Sequence, residues 1–286
     1  MPTNGLIMPK AEVQFAEFGT EYLDDALRLT IQAGWTHSRD EWAMLLGLGF
    51  GFVAIKEGHA IGAVCMKLFD GVATIALLIV DEKMRGRGLG AQLMELALEK
   101  VGQRECRLIA SPLGQPLYRK LGFQEIETIY SHRGVVATVQ APHDVEWATD
   151  DDLHQISEID RSATGIDRRA LISALWSKAR FAIVRSSGRV MGYAALLPYG
   201  RQQVAGPVVA RSTVEARSLL SFLFSHHAGA FLCVDLRPHT GLADWLNSIG
   251  IAETFGSTAM RRGEPRVDAE SSPHTYALAT LLFGFP

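Results

Sequence analysis

Apolar and polar positions alternate from Val13 to Phe18 with the two-residue period of a half-buried strand. A helical stretch follows from Thr20 to Ala33, and Ser38 with Glu41 three residues on forms the capping box that opens a second helix. Next come three β-rich segments, Phe50 to Lys56, Ala60 to Leu68 and Val72 to Val80, divided by the turns Glu57-Gly58-His59 and Asp70-Gly71. They predict an antiparallel meander. After Val80 the period changes, and a glycine-rich loop leads into Leu89 to Val101, where Leu93, Leu96, Ala97 and Val101 recur at helical spacing. A short strand at Cys106 to Ala110 is followed by a helix ending in Leu121-Gly122-Phe123, with Gly122 as its C-terminal cap, and then by strands to about Thr138. Strand, loop, helix and strand in that order make a parallel βαβ crossover.

The second half repeats the order. Strand segments at Phe181 to Arg185, Val190 to Leu197 and Val204 to Val209 precede a helix at Val214 to Ser225, a strand at Phe231 to Leu236 and a helix at Leu242 to Ile249. Hairpin glycine Gly58 and cap glycine Gly122 are 64 positions apart, and Gly188 and Gly250 are 62 apart, which points to an internal duplication. The weakly patterned segment Gln140 to Val145, with Pro142, marks a boundary between domains 1–140 and 141–286. The apolar stretch Tyr276 to Phe283 reads as a helix packed on the body or on another subunit of a homo-oligomer.

Length alone favours this division, because 286 residues suit two α/β domains of ~140 residues each. The net charge of −3 leaves no basic excess for a nucleic-acid backbone. No apolar run reaches the ~20 residues that span a bilayer, and the start lacks a secretory core, so a cytoplasmic protein without a membrane partner is expected. Cys65, Cys106 and Cys233 each sit in an apolar, strand-like run, the pattern of buried thiols rather than of disulfides or a metal site.

The chemistry concentrates in Asp81-Glu82-Lys83-Met84-Arg85-Gly86-Arg87-Gly88-Leu89-Gly90, between a strand end and a helix start. Glycines at alternate positions let main-chain N–H groups converge, and free amides with the positive end of a helix dipole favour a pyrophosphate. No Gly-Lys-Ser/Thr follows, as a nucleotide P-loop demands, and the preceding meander argues against a dinucleotide-binding unit.

Arg85, Gly88 and Gly90 after a fourth strand, with Leu117-Tyr118-Arg119-Lys120-Leu121-Gly122-Phe123 about thirty residues later, resemble the signature of the GNAT acyltransferase superfamily over residues 11 to 140. The resemblance implies that Leu78, Ile79 and Val80 pair with the pantetheine arm of acetyl-CoA. The main chain of Arg85, Gly86, Arg87, Gly88, Leu89, Gly90 and Ala91 would hold the pyrophosphate, with the thioester where the fourth and fifth strands part. Tyr118 falls at the family's general acid, and Ser111 stands where many members carry Asn. The turn Gly34 to Trp42 falls where the superfamily builds its acceptor pocket; His37 or Asp40 would take the amine proton and Trp35 would face the substrate. Trp35, His37 and Asp40 also resemble a two-domain subgroup with a variant C-terminal half. On packing grounds alone, Trp35 and Trp42 equally serve to staple two helices.

The second half carries Ala210-Arg211-Ser212 in place of the glycine loop and Leu246 in place of Tyr118. A degenerate copy is expected there, completing the acceptor pocket, stabilising the first domain or sensing a ligand. Its polar candidates are Asp160, Asp167, Arg168, His227 and Asp235, with Asp160-Arg161 and Asp167-Arg168 as surface pairs and no metal spacing. These observations together predict two tandem GNAT-like α/β (α+β) domains, each a mixed, mostly antiparallel sheet flanked by helices. The implied function is acetyl transfer from acetyl-CoA to a primary amine of a small molecule in a ternary complex. An acyl-CoA-binding sensor and a protein lysine acetyltransferase are the alternatives.

Overall fold

The computed structural model describes residues 12–199, 202–265 and 273–279. The first half runs β1 (Gln14–Glu17), α1 (Leu23–Gln32), α2 (Arg39–Leu48), β2 (Phe50–Lys56), β3 (His59–Leu68), β4 (Val72–Val80), α3 (Leu89–Val101), β5 (Glu105–Ala110), α4 (Gln115–Lys120) and β6 (Gln124–Val135). The second runs β7 (Val145–Trp147), α5 (Leu153–Thr164), α6 (Arg169–Trp176), β8 (Arg180–Ser186), β9 (Arg189–Tyr199), β10 (Gln202–Ala210), α7 (Thr213–Ser225), β11 (Phe231–Leu236), α8 (Ala243–Ser248), β12 (Ala252–Arg262) and β13 (His274–Ala277). The irregular segment 136–144 joins them.

Local chemistry explains the element ends. Ser38 accepts a hydrogen bond from the Glu41 main-chain N–H while the Glu41 carboxylate accepts one from Ser38 N–H, so the capping box starts α2. Gly122, at φ +85°, turns the chain after α4 as a C-terminal glycine does.

Among the described residues all thirteen strands join one sheet in the order β1-β2-β3-β4-β5-β12-β6-β11-β13-β10-β9-β8-β7. The halves therefore exchange strands. β12 of the second half pairs with β5, from Thr258 opposite Ala110 to Arg262 opposite Cys106, and β6 of the first half pairs with β11, from Phe231 opposite Val135 to Leu236 opposite Tyr130. Helix packing follows the same logic. On one side of the sheet Leu23, Leu29 and Trp42 share a single apolar cluster with Ile156, Leu171 and Leu175 of the second half. Elsewhere one cluster gathers around Leu93, Met94 and Ala97 of α3, with Met260 of β12 joining it, and another around Leu219, Leu223 and Phe224 of α7.

Trp42 staples α2 to α1 as its packing predicts: it is fully buried, with its indole N–H donating to Thr30 Oγ1 at 2.9 Å. One expectation needs correction. Tyr276 and Ala277 lie in strand β13 rather than a helix, because an apolar run of that length satisfies its backbone equally well as a sheet insertion; residues 280–283 of the expected helix lie outside the described residues.

Candidate active site

Strand β4 is where the sheet opens. It pairs with β3 on one side, but the register slips between Ala63 and Cys65, so that Leu77 and Leu78 bulge opposite one residue of β3, and Leu77 takes the unusual φ of +55°. On its other side β4 runs parallel to β5 only from Val72 opposite Glu105 to Ile75 opposite Leu108. Beyond that point β5, paired with β12 on its other edge, and β4 diverge, leaving residues 76–80 without a strand neighbour on that side among the described residues.

The loop after β4 is built by short-range bonds. The Asp81 carboxylate accepts from Lys83 N–H at 3.0 Å and from the Arg28 guanidinium at 3.0 Å. Arg85 Nε donates to Val80 O at 3.2 Å, and Arg87 donates to Lys83 O at 3.2 Å. Gly88 caps α3 at φ +82°, in the left-handed region open to glycine. The first helical bond runs from Gln92 N–H to Gly88 O at 3.1 Å, so the amides of Leu89, Gly90 and Ala91 have no intrahelical acceptor. Arg85, Gly86, Arg87 and Gly88 are exposed, while Leu89 anchors the helix in the core.

A cavity of about 330 Å³ adjoins the opening. Trp35, Thr36 and His37 of the α1–α2 turn line it, with Leu77 and Leu78 of β4, Ser111 and Tyr118. Tyr118 is 7% exposed, with its ring edge-on to Phe123 at 5.9 Å. Burial pushes its phenol pKa up to about 12, so it stays protonated at neutral pH. His37 meets the edge of Trp35 at 5.4 Å, and burial lowers its pKa to about 4, leaving a neutral imidazole. Asp40 is not among the lining residues: it is exposed in the first turn of α2, where a carboxylate favours the helix dipole.

Further lining comes from the exchanged strands, Arg133 of β6 with Phe255 and Ser257 of β12, and from their second-half neighbours, Cys233 and Asp235 of β11 and Val204 of β10. Of these, sequence reasoning singled out Asp235 alone as a polar candidate and treated Cys233 as a buried thiol. Cys233 is indeed buried, and its thiol is pushed up to about 11 by desolvation, yet it also faces the cavity. Nothing local marks Arg133 or Phe255, since both reach the site through pairings between distant segments. Gln115 Nε2 of α4, donating to Thr258 Oγ1 at 2.7 Å, ties the two walls together.

The other second-half candidates are structural. Asp160 pairs with Arg168 rather than Arg161, accepting from its Nε at 2.9 Å and its Nη2 at 2.6 Å, and from Tyr193 OH at 2.5 Å, all buried. Asp167 pairs at the surface with Arg169. His227 closes the C-terminal end of α7 through its Nδ1 and Leu223 O, 2.8 Å apart. Leu246 is fully buried. The opening between β10 and β11 also has a different fate from its counterpart. Their parallel pairing covers only Gln203 opposite Leu232 and Val204 opposite Cys233, and β13 inserts beyond it, antiparallel to both. Gly206 makes room, since a Cβ there would lie 1.8 Å from Leu278 O.

Comparison with known proteins agrees with this geometry. Residues 48–125 and 156–277 match two family models, each described as an acetyltransferase (GNAT) domain, and between them they cover more than half of the chain. An uncharacterized N-acetyltransferase, YitH, of Bacillus subtilis (strain 168) is 28% identical over 239 residues, spanning 80% of this chain and 84% of that protein. A holothin acyltransferase of Pseudoalteromonas sp. (strain SANK 73390) is 25% identical over 270 residues, 86% of this chain and 90% of that one. A crystal structure of a provisionally assigned acetyltransferase from Pyrococcus horikoshii superposes over 99% of both chains with a TM-score of 0.78 at 19% identity, a likeness of fold. With a GNAT domain in each half, the chain belongs to the GNAT superfamily as a two-domain member.

Proposed function

We propose that this protein transfers the acetyl group of acetyl-CoA to a primary amine of a small molecule by direct attack in a ternary complex. The observation that carries the reading is the parting of β4 and β5 beyond Ile75 and Leu108, with the Gly88-capped helix start at one end and the Tyr118-lined cavity at the other. Pantetheine lies along residues 78–80 of β4, and the pyrophosphate meets the free amides of residues 89–91. The amine nitrogen attacks the thioester carbonyl, the C–S bond breaks, and the departing thiolate takes a proton from Tyr118.

Magnitudes assign the roles. A phenol of pKa about 12 transfers its proton fully to a thiolate of pKa ~8.5 only uphill, by roughly 5 kcal/mol. Tyr118 is therefore most effective when the proton released by the attacking amine replaces its own in the same step. His37, at a pKa of about 4, is some six units too weak to deprotonate an alkylammonium of pKa ~10. It accepts a hydrogen bond from the neutral amine and orients it. A cavity of about 330 Å³ suits a small acceptor better than an extended protein segment. The second half, with β13 in its own opening, builds the acceptor wall and binds no second coenzyme. That the 25% identical relative is named an acyltransferase supports acyl transfer by a chain of this kind.

Thiol release from acetyl-CoA across an amine panel tests this, with Tyr118→Phe as the variant. Turnover that falls about 100-fold or more at unchanged coenzyme affinity is expected. Tight coenzyme binding without turnover on any amine would favour a sensor instead.

A further inference from the structure

Arg133 brings a positive charge to the cavity wall formed by the exchanged strands. Its guanidinium lies over the Phe255 ring, 4.7 Å from the centroid, and its Nε is buried with no hydrogen-bond partner among the described residues. Stacking occupies a face of the guanidinium and leaves its in-plane Nε–H without an acceptor among the described residues. A buried donor on a charged group is costly to leave unpaired. The fork of Nε–H and Nη–H matches the two oxygens of a carboxylate.

The surroundings narrow the ligand. Cys233 is the cross-strand partner of Arg133, which places Asp235 at the diagonal position on the same face, about 7–8 Å away between main chains. Asp235 lines the same cavity and accepts from Ser131 Oγ at 2.5 Å. Its negative charge opposes a dianionic phosphate and tolerates a single carboxylate charge.

We propose that the acceptor is an amine that also bears a carboxylate, an amino-acid-like molecule, held by Arg133 through that carboxylate with Phe255 alongside. This rests on the acyl-transfer reading above. The amine then faces the β4–β5 opening from the same cavity, beside Leu78, Ser111 and Tyr118.

The test compares amino acids with their matched carboxamides as acceptors, reading thiol release from acetyl-CoA. Wild-type protein is expected to favour the carboxylates by about 10- to 100-fold in kcat/KM, the range of a charge-assisted pair. In Arg133→Gln that ratio collapses to near one, chiefly through KM. Arg133→Lys keeps the charge without the fork, retains part of the ratio, and carries the comparison should Arg133→Gln melt early. A wild type that treats the two alike, or an Arg133→Gln that keeps the preference, overturns the proposal while leaving acyl transfer standing. If no amine is turned over, acyl transfer fails, and calorimetry with N-acetyl amino acids against their carboxamides reads the site separately. Carboxylate-selective binding lost in Arg133→Gln sustains the site, and its absence from the wild type overturns it.

Discussion

The imidazole of His37 is controlled by its surroundings. Burial beside Trp35 lowers its pKa from 6.5 to about 4, so between those values the native state binds fewer protons than the unfolded chain. Stability therefore rises with pH through that window and is flat above it. The full shift is worth on the order of 3 kcal/mol, and residual solvent contact reduces the expected effect to about 2. Urea unfolding at about pH 7 and pH 5 checks this: wild type should lose roughly 1–2 kcal/mol more than His37→Gln on acidification. Equal losses would remove the burial argument and, with it, the neutral orienting role. Tyr118 follows the same physics with the opposite sign, since burial keeps its proton on. Among the site side chains expected from the sequence, Trp35, His37, Ser111 and Tyr118 line the cavity and Asp40 does not. Residue type and spacing identify a candidate carboxylate, but only the orientation of a helix's first turn says which way it points.

At the level of elements, the start of α3 was the most legible feature, because its chemistry is local. Alternate glycines, a strand before and a helical period after specify a turn whose amides face outward, whatever packs around it. Gly88 at φ +82° is where that turn is most demanding. Gly88→Ala has space for its Cβ, with Gln92 Nε2 the nearest atom at 3.6 Å, so the cost is conformational. About 1–2 kcal/mol of stability should be lost, and coenzyme affinity should weaken about tenfold as the turn relaxes. Calorimetric titration with coenzyme A and a thermal melt measure both. An unchanged affinity would mean that the amides after Gly88 do not hold the pyrophosphate. The opposite case is the last element. Residues 276–277 carry an apolar run without a decisive period, and whether such a run becomes helix or strand depends on the vacant edges it meets between β10 and β11.

Across the whole molecule, the exchange of β6 and β12 decides most of what is new. It joins two repeated units into one sheet, carries Arg133 and Phe255 to the cavity that the first half opens, and sets Asp235 of β11 beside them. The boundary we propose near residue 140 then separates two lengths of chain that each lend a strand to the other. Residues 1–140 alone would leave an edge of β5 exposed where β12 belongs, and residues 141–286 would leave an edge of β11 exposed where β6 belongs. Each fragment expressed by itself should be aggregation-prone and lack a cooperative melt, while co-expression should restore a coenzyme-binding complex. Circular dichroism melts and coenzyme titration decide this. A cooperatively melting first fragment with full affinity would show that the exchange is dispensable.

The sequence by itself determined the repeated order of the two halves, the elements of the first half, the glycine turn before α3 and the position of Tyr118, because each rests on interactions within a few residues: hydrophobic period, caps and left-handed glycines; α5, α6, β7 and β12 carried no such signal. Tertiary structure alone decided which strands pair across the middle of the sheet, that β13 fills the opening of the second half, and which second-half residues line the cavity. Those outcomes depend on pairing between segments more than a hundred residues apart, such as Gln115 with Thr258 and Ser131 with Asp235, and no local pattern encodes such a partner.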